Sequence, residues 1–190
     1  MKVIFLDFDG VINDNSCEGD FVNPSYVREI KKVIDKVDAR IVVTSNKRRK
    51  KTFCYQNYIK PLSKMGLEIY DYTPFMNGKL EEIRELETEA YLMKHPEIEE
   101  FVIIEDDYVM QRLYDHQVFI EYGNGFTFEY VEPAIRILNG NLGFYPKEYD
   151  RSETFEERIR RLFPNLFLDP MLEKDFTSFG LDSWKKLIKK

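Results

Sequence analysis

Short apolar runs alternate with longer segments of helical period along roughly the first 140 residues of the chain. The apolar runs predict strands at 2–6, 40–43, 67–70, 101–104 and 118–122. The longer segments predict helices at 24–36, at about 52–65, from about 79 to 94 and at about 127–138. Strands that alternate with helices indicate βαβ units, so we expect an α/β fold around a parallel sheet.

Capping residues and apolar spacing support the predicted helices. Asn23 is placed to cap the first helix, with Pro24 at its first position, and Gly66 is placed to end the second. In the third helix the inward face is predicted from one set of apolar positions at helical spacing: Leu80, Ile83, Leu86 and Ala90.

The alternation fades from Asn141 onward. The segment 152–163 is predicted to be an amphipathic helix, and the residues after it mix aromatic and charged side chains. We therefore expect a core over 1–140 and a mainly helical C-terminal extension over 141–190 that packs on the core.

Composition limits the classes of protein that remain. The chain has 28 Lys and Arg against 34 Asp and Glu, a net charge of −6, which disfavours a protein that lives on DNA or on an anionic membrane. Its apolar runs are far shorter than the roughly 20 residues that span a bilayer, and an acid interrupts the N-terminus before a signal-peptide core develops. We expect a cytoplasmic protein without a membrane partner.

Two Cys and two His are too few for a zinc site, so a metal would be held by oxygen, as Mg²⁺ is.

Three of the predicted strands end in residues that carry chemistry. These residues are Asp7 and Asp9 after the first strand, Thr44, Ser45 and Asn46 after the second, and Glu105, Asp106 and Asp107 after the strand at 101–104. Ligands of an open α/β sheet bind outside the carboxyl ends of its strands, so we expect these side chains at one edge. Carboxylates gathered there repel one another unless a cation lies between them, which favours Mg²⁺.

The segment DFDGV at 7–11, directly after the first strand, resembles motif I of the haloacid dehalogenase (HAD) superfamily of phosphohydrolases. The resemblance implies the three-layer, Rossmann-like parallel sheet of the HAD fold and a Mg²⁺-dependent phosphomonoesterase that forms an aspartyl-phosphate. Asp7 would be the nucleophile and a metal ligand. Asp9 would be general acid and then base, with its main-chain carbonyl on the metal, and Gly10 would allow the sharp turn that brings both acids to the substrate phosphate.

The second motif of the family is matched at the end of the second strand. There the resemblance implies that the Ser45 hydroxyl holds a phosphoryl oxygen, with Thr44 as the alternative. Asn46, Lys47 and Arg48 are expected to contact the substrate. Relatives tend to carry Trp-Arg where this chain has Lys47-Arg48, so the carry-over applies to Arg48.

The third and fourth motifs supply a cation and further acids. The resemblance implies a lysine that neutralises the nucleophile, which selects Lys79, with Lys94 as the alternative. In the fourth motif it implies Asp106 as a metal ligand and Asp107 as a second one. Glu105 stands where many relatives carry Gly or Asp, which leaves this register open by one residue.

Substrate class follows from the lengths of the inter-motif segments and from local strings. Segments 11–40 and 46–77 hold no full cap domain, so the site is expected to be open and the substrate bulky. The Ser-Asn followed by a basic pair, IYDYTP at 69–74, KLEEI at 79–83 and HPEIE at 95–99 resemble HAD domains associated with RNA-repair proteins, over about residues 1–139.

One strongly basic run, KRRKK at 47–51, begins beside Ser45. It either guides a polyanion to the site or forms a solvated loop, and Tyr55 and Tyr58 just after it either stack on bases or pack in the core. The expected substrate is a phosphomonoester, with a phosphorylated nucleic-acid end or a nucleotide as candidate. The alternatives are a small-metabolite phosphatase with 141–190 as a lid, or a catalytically weak binding module. The sequence leaves the natural substrate, the 3′ or 5′ preference and the oligomeric state open.

Overall fold

The computed structural model describes residues 1–14, 21–76, 82–142 and Glu157. The chain divides into a unit over Met1–Tyr145 and a second unit over Pro146–Lys190. The predicted extension over 141–190 and its helix at 152–163 lie almost wholly outside the described residues and stay predictions. Among the residues described, none of the helices is both long and apolar enough to span a membrane.

Five parallel strands form one sheet in the order β3–β2–β1–β4–β5. The strands are β1 (Lys2–Leu6), β2 (Ala39–Val43), β3 (Ile69–Tyr72), β4 (Glu100–Glu105) and β5 (Gln117–Phe119). Leu6, the last residue of β1, pairs with Val43 on one side and with Ile104 on the other. The predicted parallel α/β sheet is confirmed, although its last strand is shorter than the predicted 118–122.

The helices lie close to their predicted positions. They are α1 (Pro24–Val37), α2 (Lys51–Cys54), α3 (Lys60–Lys64), α4 (Glu82–Lys94) and α5 (Val131–Leu138). A π-helical segment, Tyr55–Ile59, joins α2 to α3, so helical backbone is continuous over nearly the whole predicted second helix. The Asn23 side chain accepts a hydrogen bond from the Ser25 amide at 2.9 Å and caps α1, as predicted.

The apolar core lies on both faces of the sheet because strand side chains alternate. Ile4 and Leu6 of β1 belong to the cluster that packs under α1, α5 and the helical segment 51–64. Val3 and Phe5 belong to the cluster on the opposite face, where α4 contributes Tyr91. Helices therefore cover both faces, which is the three-layer arrangement that the sequence predicts.

Helix α4 is buried on more sides than its apolar stripe predicts. Ile83, Leu86 and Ala90 are buried as expected, whereas Leu80 lies outside the described residues. Several polar side chains of the same helix are also buried: Arg84, Glu85, Glu87 and Thr88. Buried charges are stable only when they are paired, so this helix must find partners for them inside the protein.

Candidate active site

The residues directly after β1, β2 and β4 lie side by side at the carboxyl edge of the sheet. The Asp7 amide donates to the carbonyl of Ile104 at 3.1 Å, and the Thr44 amide donates to the carbonyl of Leu6 at 3.0 Å. Strands β2 and β4 flank β1 on opposite sides, so this edge is the topological switch point, where α/β sheets bind ligands. A cleft of about 680 Å³ opens there and is lined by Asp7, Asp9 and Asp106.

Three carboxylates converge on the floor of this cleft. One oxygen each from Asp7, Glu105 and Asp106 lies within 4.8 Å of the others. Gly10 makes the approach possible: its φ is +73°, and a β-carbon there would lie 1.7 Å from Oδ2 of Asp106. Position 10 therefore requires glycine both for its backbone conformation and for the space that the Asp106 carboxylate occupies.

The donor set of this cluster fits a hard divalent cation. Burial, followed by the negative charge of Asp7, raises the pKa of Glu105 to about 8 and that of Asp106 to about 6. Raised pKa values of this kind show carboxylates that repel one another in a poorly hydrated place, and a cation between them would relieve that repulsion. The oxygen-only cluster fits Mg²⁺ better than a softer metal.

The acids of the fourth motif are arranged differently from expectation. Asp106 joins the cluster as predicted, but Asp107 is exposed and donates its backbone amide to Oε1 of Glu105 at 3.3 Å. Glu105 thus belongs to the three-carboxylate group, whereas Asp107 lines the cleft outside that group, and its role as a second metal ligand stays a prediction. The Asp9 carboxylate also lies outside that group, and its expected main-chain contact with a metal stays a prediction.

Arg84 of α4 is the cation that neutralises this cluster. Its Nη1 lies 2.7 Å from Oδ1 of Asp7 and 2.8 Å from Oε2 of Glu105, in a side chain that is 5% exposed. Burial alone would lower its pKa, but the charges of Asp7 and Glu105 outweigh burial and raise the pKa above the ordinary value. Arg84 therefore stays charged and holds the predicted nucleophile in place.

The family resemblance implies a lysine in that role. Lys79 lies outside the described residues, and the alternative, Lys94, is in the last turn of α4 and does not line the cleft. Arg84 was missed because a charged helical residue is usually solvated. A second stripe of helical spacing, Arg84, Glu87 and Tyr91, runs beside the apolar stripe of α4 and is the signal that would have indicated it.

Asp9 is held by three donors at the side of the cleft. Lys47 Nζ lies 2.7 Å from its Oδ2, while the Tyr58 hydroxyl donates to Oδ1 at 2.9 Å and the Asn13 amide at 3.2 Å. Partial burial acts to raise the pKa of Asp9, but these contacts together hold it below the ordinary value. Tyr58 itself is buried, with its ring stacked on Phe8 at 4.8 Å, so its ring packs in the core and is not open to a base.

The second motif places Ser45, and not Thr44, on the cleft wall. Ser45, Asn46 and Lys47 line the cleft. Thr44 is fully buried, and its hydroxyl has no hydrogen-bond partner among the described residues. The Lys47 amide donates to the Ser45 hydroxyl at 3.5 Å and starts the 3₁₀ turn Asn46–Arg49. This geometry favours Ser45 as the hydroxyl that meets a phosphoryl oxygen.

Arg48, expected to contact the substrate, is instead built into the protein. The side chain is 8% exposed, and burial lowers its pKa. All five of its N–H donors are engaged, by the carbonyl oxygens of Thr44, Ser45, Thr73 and Pro74 and by the carboxylate of Glu87. Arg48 therefore holds the Ser45 loop against α4 and the segment after β3, and leaves no donor for a substrate.

The five cations of the basic run at 47–51 therefore lie in three different environments. Lys47 lies in the cleft with Asp9, and Arg48 is buried. Arg49, Lys50 and Lys51 are exposed, and none of them forms an ion pair within the described part of the chain. Of the five cations in the run, only these last three are open to a polyanion without first breaking an internal ion pair.

The parallel sheet, the Asp-x-Asp-Gly turn after its central strand and the acids after β4 define a protein of the HAD phosphohydrolase superfamily. The family described as "HAD domain in Swiss Army Knife RNA repair proteins" matches residues 3–131. That match covers more than half of the 190 residues, from β1 to the start of α5, and the chain belongs to this family. No curated protein and no solved structure gives a match to the chain.

Proposed function

We propose that this protein is a Mg²⁺-dependent phosphomonoesterase that works through an aspartyl-phosphate on Asp7. The observation that carries the proposal is the setting of Asp7 on the cleft floor. Its carboxylate is almost completely buried, and Arg84 binds its Oδ1 at 2.7 Å. An oxygen of Asp106 lies within 4.8 Å of an oxygen of Asp7, so one metal ion would reach both. A carboxylate with fixed orientation and a permanent neighbouring cation suits attack on an anionic phosphate, because the cation offsets charge repulsion.

Asp7 and Asp106, with Glu105 beside them, would hold the Mg²⁺ ion. When bound, the ion supplies positive charge toward the phosphoryl oxygens and orients them for in-line attack. Arg84, which stays charged, adds a second fixed positive charge on the protein side of Asp7 and holds its Oδ1 at 2.7 Å.

In the first half of the proposed reaction, a carboxylate oxygen of Asp7 forms a bond to phosphorus while the bond from phosphorus to the ester oxygen breaks. Asp9 gives its proton to that departing oxygen. In the second half, the oxygen of a water molecule forms a bond to phosphorus while the bond from phosphorus to Asp7 breaks. The proton of that water passes to Asp9, and inorganic phosphate leaves. The hydrogen bonds from Tyr58 and Asn13 keep the Asp9 carboxylate in one orientation through both halves.

Lys47 connects phosphate binding with the proton on Asp9. In the substrate-free protein its ammonium group lies on Asp9 and favours the ionised carboxylate. A phosphate bound beside Ser45 competes for the same ammonium group, since all three side chains line one cleft. Loss of that contact makes protonation of Asp9 easier at the moment when a general acid is needed.

Nucleic-acid ends are the proposed substrates. The family description names RNA repair proteins, and the basic run at 47–51 adjoins the cleft. The described parts of the two segments in which family members insert caps are occupied by core elements, namely α1 after the first motif and the helical segment 51–64 with β3 after the second. A site over which the described residues form no cap domain admits a bulky phosphoester.

Phosphate release tests the proposal. Wild-type protein is assayed with p-nitrophenyl phosphate and with 3′- and 5′-phosphorylated oligonucleotides, with Mg²⁺ and with EDTA. We expect release that depends on Mg²⁺ and is faster from oligonucleotides. Asp7→Asn keeps a hydrogen-bond acceptor for Arg84 but forms no aspartyl-phosphate, so its kcat should fall by at least about 10³-fold.

Arg28→Ala, a change at an exposed position of α1, serves as the matched control and should keep wild-type kcat. Full activity in Asp7→Asn would show that the nucleophile is another group. Release from small phosphates alone would favour the metabolite phosphatase, and no release by a folded, metal-loaded protein would favour the binding module.

A further inference from the structure

A second cavity, of about 800 Å³, lies beside the cleft, past the carboxyl end of the edge strand β3. Its wall includes Arg49 and Lys51 from the basic run, together with three aromatic residues: Tyr55, Tyr72 and Phe75. Lys47 of the cleft and Arg49 of the cavity belong to the same 3₁₀ turn. Their Cα atoms are two steps apart along the chain, so at most about 7.6 Å separates them.

The cations of this cavity are available to a ligand. Arg49 and Lys51 are exposed, and no carboxylate among the described residues pairs with either. The Arg49 guanidinium carbon lies 3.4 Å from the centre of the Phe75 ring, so the charge is held over an aromatic face rather than by an acid. Arg48, whose donors are all engaged, also lines this cavity and donates to the carbonyl oxygen of Ser45.

Two of the three aromatic side chains of the cavity are exposed. Tyr55 is 54% exposed and Tyr72 is 42% exposed, although both rings are large enough to be packing groups. Neither forms a ring contact with another aromatic residue among the described residues. Exposed aromatic rings beside unpaired cations are the combination that binds single-stranded nucleic acids, since each base offers a face for stacking and each phosphate a charge.

We propose that this cavity binds the unpaired nucleotides next to the phosphorylated end of a single-stranded nucleic acid. The terminal phosphate lies in the cleft, Arg49 and Lys51 contact the following phosphates, and Tyr55 or Tyr72 stacks on a base. The proposal rests on the proposed function for the position of the terminal phosphate. The cavity falls within the roughly 300–1,000 Å³ typical of ligand pockets, which is room for a nucleoside.

Binding is tested with full-length Asp7→Asn protein, which leaves the probe intact. The probe is a fluorescein-labelled single-stranded RNA octamer that carries a phosphate at its unlabelled end, and anisotropy gives Kd. Added to that background, Arg49→Ala and Tyr55→Ala should each raise Kd about tenfold. Tyr55→Phe, which retains the ring, should restore the affinity.

Two control substitutions lie outside both cavities. Arg28→Ala removes the same charge from α1, and Phe128→Ala removes an aromatic ring that is 72% exposed. Both should leave Kd unchanged. In Arg49→Ala the slope of log Kd against log salt should also decrease by about 0.7, because one phosphate contact is lost. A merely structural role for Arg49 would not move this slope.

Equal Kd values for Arg49→Ala, Tyr55→Ala and the control variants would overturn the proposal, as would equal binding of the octamer in a full duplex. In otherwise wild-type protein, Arg49→Ala should lower kcat/KM for the oligonucleotide about tenfold relative to p-nitrophenyl phosphate. If the proposed function fails, no substrate is hydrolysed while the effects on Kd remain. If only this inference fails, hydrolysis remains and the ratio does not change.

Discussion

Two arginines of similar burial, Arg84 and Arg48, have opposite surroundings. Arg84, 5% exposed, faces the carboxylates of Asp7 and Glu105, and its pKa lies above the ordinary value. Arg48, 8% exposed, faces four carbonyl oxygens and the single carboxylate of Glu87, and burial takes its pKa below the ordinary value. Arg84 balances the charge of the carboxylate cluster, whereas Arg48 fixes the Ser45 loop.

Helix α4 serves both arrangements. It carries Arg84 itself, and one turn later it carries Glu87, which binds Arg48. Helix α4 therefore positions both the predicted nucleophile Asp7, through Arg84, and the Ser45 loop, through the pair of Glu87 and Arg48. The role of a buried charged group is therefore set by its partners and not by its burial alone.

The largest effect on stability is expected from Arg48→Met. The substitution leaves the Glu87 carboxylate buried without its cation and frees four carbonyl oxygens, so the free energy of unfolding should fall by about 3–5 kcal/mol. Urea denaturation measures the loss. Glu87→Leu added to Arg48→Met should recover part of it, because the unpaired charge is then gone. An unchanged midpoint for the single variant would show that the loop is held by other contacts.

Arg84→Met is expected to act mainly on catalysis. Without the guanidinium, no fixed positive charge among the described residues lies beside Asp7 as the anionic phosphate approaches, so kcat should fall about 10²-fold. Arg84→Lys keeps the charge and should retain more activity than Arg84→Met. Steady-state kinetics with p-nitrophenyl phosphate, on protein whose fold is checked by circular dichroism, gives the comparison. A wild-type kcat in Arg84→Met would show that Arg84, like Arg48, has only a structural role.

The smallest expected effect is the dependence of stability on pH and Mg²⁺. In the folded protein the pKa values of Glu105, about 8, and Asp106, about 6, lie above their ordinary values of 4.5 and 3.8. Between those limits the folded state binds more protons than the unfolded state, so the metal-free protein should lose stability as pH rises from about 4 to 8. Mg²⁺ binds the deprotonated acids, so it should raise Tm more at pH 8 than at pH 5.

Thermal unfolding with EDTA and with Mg²⁺ at both pH values measures this effect, which should amount to several degrees. In Asp106→Asn most of the Mg²⁺ effect should disappear. A larger Mg²⁺ effect at pH 5 than at pH 8 would contradict the proposed carboxylate site.

Much of the fold follows directly from the sequence. Strands β1, β2 and β4 are apolar on both faces, and their ends are marked by acids or hydroxyls. Because parallel strands expose their carboxyl ends at one edge, the sequence also predicts that Asp7, Ser45 and Asp106 share a site. The structure places all three residues in one cleft.

The contacts made by α4 could not be predicted in the same way. Local periodicity identifies the apolar stripe of the helix, but charged residues beside that stripe are read as solvated unless the covering loops are known. Arg84 and Glu87 are buried by segments distant in sequence, which no local pattern records. Glu105 was passed over for a related reason, since the end of a strand is uncertain by one residue and one residue reverses the direction of the side chain.

The close approach of Gly10 and Asp106 brings together the residues that follow β1 and the residues that follow β4. A side chain at position 10 and an inward carboxylate at position 106 exclude each other in space, so position 10 must remain glycine for as long as this acid faces the cleft. A β-carbon at position 10 would displace an acid that the proposed chemistry requires.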